Sequence, residues 1–497
     1  MTKRWGMGIV LVVGVFALLL GTRGAAQTKT EQAVDEVFAD LTKAGSPGCA
    51  LGVYRDGHVI YLKGYGLANL EEGVAISPKS VFDIGSTSKQ FTAASILLLE
   101  KQGKLSVNDD VRKYIPELPD YSQGKTGQKV TILQMLNHTS GLRDYLVLFD
   151  LAGFSIDGVT ADEDALALIA RQKRLNFAPG SEYLYSNTGF FLLSVIVKRV
   201  SGETLRDFAA QNIFTPLGMA HTQYRDDHTS LIADRAMAYD PNEKKDGFTL
   251  NVSYFEQTGD GAVHTSVEDL QKWDENFYSA QVGGKEFLAE IQTPGKLNNG
   301  NTLNYAKGLS VRDYRGLRTV RHGGSWGGYR AELLRFPEQH FSVACLCNVA
   351  NSDPSRRANL VAEAYLGSLM KAKEAAKDAD DEEEGKKKEE KAITLTADQL
   401  QAYEGDYWSE ELGVTYRLGV RDAQMKVLAI VDRSGLPRAN SFARNEVRPT
   451  GKDKFSVGTE FVTFNFQRDA PGKATGFVVD AGRTTGMKFV RENSAVK

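Results

Sequence analysis

Cys49-Ala50-Leu51-Gly52-Val53-Tyr54, then Arg55-Asp56-Gly57, then His58-Val59-Ile60-Tyr61 reads as a β-hairpin turning at Asp-Gly, a pair that tolerates the positive φ of a tight turn. Two more strand-like runs, Arg330 to Phe336 and Phe341-Ser342-Val343-Ala344-Cys345, lie far downstream. Between them, Thr92 to Lys101 and Thr188 to Val200 carry helical apolar content, and Gly103 and Gly202 suit the ends of those helices. Strands from both ends with helices between them predict an α/β sandwich whose sheet joins distant segments.

Farther along, the character of the chain changes. From Lys371 to Lys391 it is almost all Lys, Glu, Asp and Ala, with Asp380-Asp381-Glu382-Glu383-Glu384 running into Lys386-Lys387-Lys388. Few apolar residues are present to offset ordering entropy, so 371–392 reads as a charged linker, or as a solvated helical tail continuing from Ala364-Tyr365-Leu366. Past it, Val414, Tyr416, Leu418 and Val420 alternate with polar neighbours, as does Phe461-Val462-Thr463-Phe464-Asn465-Phe466. Turns at Arg421-Asp422, Asp469-Ala470-Pro471-Gly472 and Ala481-Gly482 complete the pattern of an all-β module, a small barrel over 393–497. Two folded units are also what 497 residues call for.

Composition narrows the function. With 42% apolar and 25% charged residues the chain is an ordinary folded protein, and a net charge of −3 makes nucleic acid a poor partner. Three Cys cannot form a disulfide framework, and Cys345-Leu346-Cys347 has the wrong spacing for a redox or zinc motif. No dense metal cluster stands out among the 7 His, so neither metal nor cofactor is expected. At the amino terminus Lys3 and Arg4 precede an apolar stretch from Ile9 to Leu20, followed by Gly24-Ala25-Ala26. That order reads as a secretory signal peptide over 1–26, which makes the mature protein secreted or periplasmic. The rival is an uncleaved anchor, for which about 13–15 apolar residues are short of a ~30 Å bilayer core.

Three short motifs carry chemistry. Ser86-Thr87-Ser88-Lys89 follows Phe82-Asp83-Ile84-Gly85 and precedes an apolar helix. A serine hydroxyl needs a neighbouring base, and Lys89 lies one helical turn from Ser86. The same spacing recurs at Ser122…Lys125, Ser368…Lys371 and Ser494…Lys497, but only Ser86 has the glycine entry and the following apolar helix. Tyr185-Ser186-Asn187 offers a phenol for proton relay and an amide for orienting a substrate. His322-Gly323-Gly324-Ser325-Trp326-Gly327-Gly328 offers glycines that let a backbone approach a ligand and present N–H groups. The run also spells Gly-x-Ser-x-Gly, making Ser325 a rival nucleophile, although that elbow calls for a helix after it.

Taken in order, these motifs resemble the serine β-lactamase and penicillin-binding protein superfamily, most of all the class C β-lactamase-related serine hydrolases that include D-aminopeptidases and esterases. Leu136-Asn137-His138-Thr139-Ser140-Gly141-Leu142, Ile213-Phe214-Thr215-Pro216-Leu217-Gly218-Met219 and Gly259-Asp260-Gly261-Ala262-Val263 extend the likeness, and the last hundred residues resemble a lipocalin-like module. The resemblance implies an antiparallel sheet flanked by helices plus an all-helical region over 27–370. It further implies Ser86 as acylated nucleophile, Lys89 and Tyr185 as acid/base groups, and the backbone N–H of Ser86 and Ser325 as oxyanion hole. Asn187, His322, Gly323 and Gly324 would contact substrate. Where relatives carry Lys-Thr-Gly this chain has His322-Gly323-Gly324, and losing a permanent cation fits an ester, an amide or a peptide lacking the carboxylate that the cation would hold. By the same analogy Cys49 and Cys345 or Cys347 lie on neighbouring strands; buried free thiols are the expectation, a disulfide the alternative.

An exported acyl-enzyme hydrolase is therefore expected, acting on a small-molecule or peptide substrate, with a cell-wall-derived one among the choices. A non-turnover penicillin-binding sensor on the same scaffold is the second reading, and domain order suggests that the barrel covers the mouth of the active site.

Overall fold

The computed structural model describes residues 1–2, 27–123, 129–155, 158–372, 393–442, 445–458, 462–470 and 472–492. The leader-like segment (3–26) and most of the charged segment (373–392) lie outside the described residues.

The opening hairpin forms as read. Strands β1 (Cys49–Arg55) and β2 (His58–Tyr65) turn at Asp56 and Gly57, both at positive φ. β3 (Tyr305–Ala306), β4 (Leu309–Tyr314), β5 (Leu317–Trp326), β6 (Tyr329–Phe336) and β7 (Phe341–Cys347) join them in one antiparallel sheet of order β3-β4-β5-β6-β7-β1-β2. The hairpin thus pairs with the last strand of the sheet, Cys49 opposite Cys347 and Arg55 opposite Phe341.

The helices that frame the site are α1 (Lys29–Val37), α2 (Lys89–Lys101), α3 (Tyr145–Leu151), α4 (Asn187–Ser201), α5 (Val267–Ser279) and α6 (Pro354–Leu366). β1 is buried along nearly its whole length because helices cover both faces of the sheet. Leu51, Val53 and Val343 face one side and pack with Val34 of α1 and Val361 of α6. Their neighbours Ala50, Tyr54, Ala344 and Leu346 face the other, into a larger core with Leu97 of α2, Phe190 of α4 and Trp273 of α5. α2 and α4 are apolar on nearly all sides and are buried accordingly. α2 begins at Lys89, ahead of the expected Thr92; α4 ends where Gly202 adopts the left-handed conformation at φ 82°.

Free thiols describe Cys345 alone, because Cys49 and Cys347 form a disulfide. Register is the reason: Cys49 and Cys347 are direct partners across β1 and β7, 4.0 Å apart at Cα, whereas Cys345 faces Leu51.

After the charged segment, β8 (Gly405–Ser409), β9 (Val414–Arg421), β10 (Gln424–Asp432), β11 (Val447–Gly451), β12 (Lys454–Val457), β13 (Val462–Arg468), β14 (Ala474–Ala481) and β15 (Thr484–Arg491) close into an antiparallel barrel. Buried rings of Tyr407, Tyr416, Phe464, Phe477 and Phe489 cluster within it, Phe477 and Phe489 stacked at 4.6 Å, which makes it a packed core. The barrel rests on the helical region: Tyr416 donates to the Leu151 carbonyl at 2.6 Å, and Ala439 N–H to that of Gly153 at 2.9 Å.

Candidate active site

Ser86 occupies a single 3-10 turn, Gly85–Ser88, that leads into α2. The Asp83 carboxylate accepts from Gly85 N–H at 2.8 Å and so shapes the entry, while Gly85 itself sits at φ 47°. Strand β5 presses on this turn from outside. Thr87 Oγ1 donates to the His322 carbonyl at 3.1 Å, a Cβ on Gly324 would collide with the Ile84 carbonyl, and a Cβ on Gly85 would lie 2.7 Å from Ser325 N. Glycine at 85 and 324 is thus required by backbone-to-backbone contact, and that contact brings the Ser325 amide beside the Ser86 turn.

Lys89 is wholly buried. Its Nζ donates to Ser86 Oγ at 3.1 Å, to Asn187 Oδ1 at 2.9 Å and to the Asp260 carbonyl at 2.6 Å, one acceptor for each ammonium proton. Asn187 is held at both ends of its amide, since Nδ2 donates at 3.0 Å to Asp144 Oδ2, which also accepts from Asn187 N–H at 2.8 Å. The amide therefore fixes the lysine while Asn187 also lines the cleft. Burial pushes the Asp260 carboxyl up to about 7 against the pull of Lys89, and Tyr145 donates to its Oδ2 at 3.1 Å.

The Tyr185 ring gathers three groups. Lys89 Nζ lies 4.9 Å from its centroid, the Arg483 guanidinium 4.6 Å, and the His138 ring 4.1 Å. His138 accepts from Ser186 N–H at Nδ1, 3.2 Å, and burial pushes its pKa well below the ordinary value, so it is neutral. His322 is held by Gly323 O at Nδ1, 2.6 Å, and by the Tyr305 hydroxyl at Nε2, 3.0 Å. Burial first and Lys89 second push its pKa down to about 3, so it brings no positive charge at neutral pH. Ser86, Tyr185, Asn187, the His322–Ser325 edge of β5 and Arg483 all line one cleft of 1580 Å³.

The structure thus brings together every residue singled out in the three motifs. Ser325 lies inside β5 and is followed by β6, so no strand-to-helix elbow forms around it. Ser368 is exposed past the end of α6, and Lys125 and Lys497 lie outside the described residues. Asp144, His138, Asp260 and Arg483 had been given no role from sequence. His138 and Asp260 sit in stretches that carried the family likeness, and Asp144 has the signature of a helix cap, its Oδ1 accepting from Leu146 N–H at 3.0 Å. Arg483 has no local signature.

A family model described as Beta-lactamase matches residues 33–367. The chain is 31% identical over 330 residues to Penicillin-binding protein 4* of Bacillus subtilis, covering 62% of this chain and 70% of that protein. It is 28% identical to a D-aminopeptidase of Gluconobacter oxydans over 319 residues, 64% of this chain but 59% of that protein's length. Among solved structures, the octameric penicillin-binding protein homologue from Pyrococcus abyssi is similar at TM-score 0.60 and 23% identity, over 93% of this chain and 99% of that one. D-amino acid amidase from Ochrobactrum anthropi is similar at TM-score 0.58 and 21% identity, over 68% and 99% respectively. The first of these likenesses extends over both the sheet-and-helix part and the barrel. By the model that spans more than half of it, the chain belongs to the Beta-lactamase family.

Proposed function

We propose that the protein is an exported serine hydrolase that turns over a small-molecule or peptide substrate through an acyl-enzyme on Ser86. One observation carries the reading: a wholly buried lysine amine lies 3.1 Å from the Ser86 hydroxyl in an open cleft. In its neutral form Lys89 takes the Ser86 proton as Oγ attacks the substrate carbonyl carbon. The N–H groups of Ser86 and Ser325 receive the charge that develops on the carbonyl oxygen. Lys89, with Tyr185 as relay, returns the proton to the leaving nitrogen or oxygen as its bond to carbon breaks. Water then adds to the Ser86 ester, its proton passing to the same pair, and Oγ departs reprotonated. The aminopeptidase and amidase names of the relatives favour amides of D-amino acids, with esters and β-lactam-like compounds next. Export is supported by the leader-like amino terminus and the Cys49–Cys347 disulfide; among the described residues no helix is long and apolar enough to cross a membrane.

The test is covalent labelling. A fluorophosphonate or penicillin-type probe should leave its mass on the peptide containing Ser86, and a label on Ser325 or none at all would overturn the reading. With nitrophenyl esters a burst should be followed by steady turnover; a burst alone would make the protein a sensor. Gly324→Ala should also lower turnover by about 10²-fold, because the added methyl drives β5 and its Ser325 amide off the Ser86 turn. Unchanged rates in that variant would remove Ser325 from the site.

A further inference from the structure

We propose that Arg483, carried on the turn between β14 and β15 of the barrel, binds a carboxylate of the substrate and so selects substrates that bear one. The inference rests on the acyl-enzyme reading above and names the substrate class of that same site.

Several other cations line the same cleft: Arg321 pairs with Glu332 at 2.8 Å and Arg315 with Glu363 at 3.1 Å, and Arg312 and Arg356 line it as well. Lys89 spends its three protons on Ser86, Asn187 and Asp260. Arg225 donates to the carbonyls of Ser253 and His228, and Arg330 to those of Gly327 and Tyr329. His322 is neutral at physiological pH. Arg483 differs. Its guanidinium lies against the Tyr185 ring at 4.6 Å and is 40% exposed to the cleft, and its nearest carboxylate oxygen, Asp144 Oδ2, stands 3.9 Å away. That oxygen already accepts from two N–H groups of Asn187. Among the described residues the Arg483 guanidinium makes no hydrogen bond to protein, so a planar fork of donors beside a proposed acid/base residue is open to a ligand.

The turn that carries it is rigidly seated. The Arg483 carbonyl accepts from Asn176 Nδ2 at 2.9 Å and from Asp144 N–H at 3.3 Å, and Thr485 N–H donates to Asn176 Oδ1 at 2.9 Å. Docking therefore uses the backbone of the turn, and the side chain is left to the cleft. The third motif, His322-Gly323-Gly324, brings no permanent cation to the cleft; the barrel supplies one from a different part of the chain.

The experiment uses the full chain and two ester pairs, nitrophenyl hemisuccinate against nitrophenyl butyrate and an acyl-phenyllactate against its methyl ester, so that a carboxylate is offered on either side of the scissile bond. The unaltered protein should prefer the acid in at least one pair, mainly through KM, and the preference should fall as salt screens the contact. Arg483→Gln should reduce the ratio of kcat/KM between acid and neutral ester about 10- to 100-fold, and Arg483→Lys should restore part of it. No preference in the unaltered protein, or a preference that survives Arg483→Gln or is indifferent to salt, overturns the proposal while leaving the acyl-enzyme intact if Ser86 still labels. Failure of Ser86 to label overturns both.

Discussion

Lys89→Met is expected to cost as much turnover as Ser86→Ala, about 10³- to 10⁶-fold, because groups that act as one unit are lost together. Methionine matches the length of the lysine stem, so the wholly buried slot stays filled while the amine disappears. Three acceptors then lose a donor: Ser86 Oγ, Asn187 Oδ1 and the Asp260 carbonyl. Leaving two of these unsatisfied in the interior costs roughly 1–3 kcal/mol each, partly offset because a charge no longer has to be buried. The fold should therefore persist, as circular dichroism would show, with labelling of Ser86 slowed in step with turnover. The double variant Ser86→Ala/Lys89→Met should be no slower than either single one. A Lys89→Met protein that keeps more than about a hundredth of the activity would separate the lysine from the nucleophile.

What could be read from the sequence was what is local. Ser86 and Lys89 are one turn apart, so their meeting follows from chain geometry once the segment coils. The sheet was legible for a related reason: β1 and β7 are largely apolar runs, as strands buried on both faces tend to be, whereas β6 carries Glu332 and Arg335, which are buried in ion pairs with Arg321 and Asp274. Gly324 could be recognised as a place where backbone comes close, but not that Ile84 is what comes close. Contacts set by register or docking left no trace. The Cys49–Cys347 pairing depends on which residue of β7 faces β1, and shifting that register by one residue would change the partner. Nothing in the Tyr185-Ser186-Asn187 tripeptide points to Asp144, whose carboxylate turns the Asn187 amide toward Lys89. Arg483 lies in an ordinary hairpin turn of an all-β segment, and only the seating of the barrel on the helical region gives it a chemical neighbour.

That seating makes the second large expectation. Glu411→Ala should destabilise the protein by about 3–5 kcal/mol, since it strands a buried guanidinium. Arg143 Nη1 donates to Glu411 Oε1 at 2.8 Å with side chains 0% and 7% exposed, which puts an ion pair inside the joint between the barrel and the helical region. The same carboxylate oxygen accepts from Lys173 N–H at 2.7 Å, and Arg143 Nη2 donates to the Gly486 carbonyl at 3.2 Å, three residues past Arg483. Arginine stays charged even where burial lowers its pKa, as it does for Arg143, so the loss cannot be relieved by giving up a proton. Removing both partners with apolar replacements, Arg143→Met/Glu411→Leu, should recover most of the stability because no charge is then left buried. Calorimetry of the full chain should show Glu411→Ala melting lower, by about 5–15 °C, or splitting into two transitions as the barrel releases first. Because the joint also seats Arg483, Glu411→Ala should also weaken the preference for acidic esters while Ser86 continues to label. A melting temperature within about 1 °C of the unaltered protein would mean that the ion pair is solvated and the two parts stand independently.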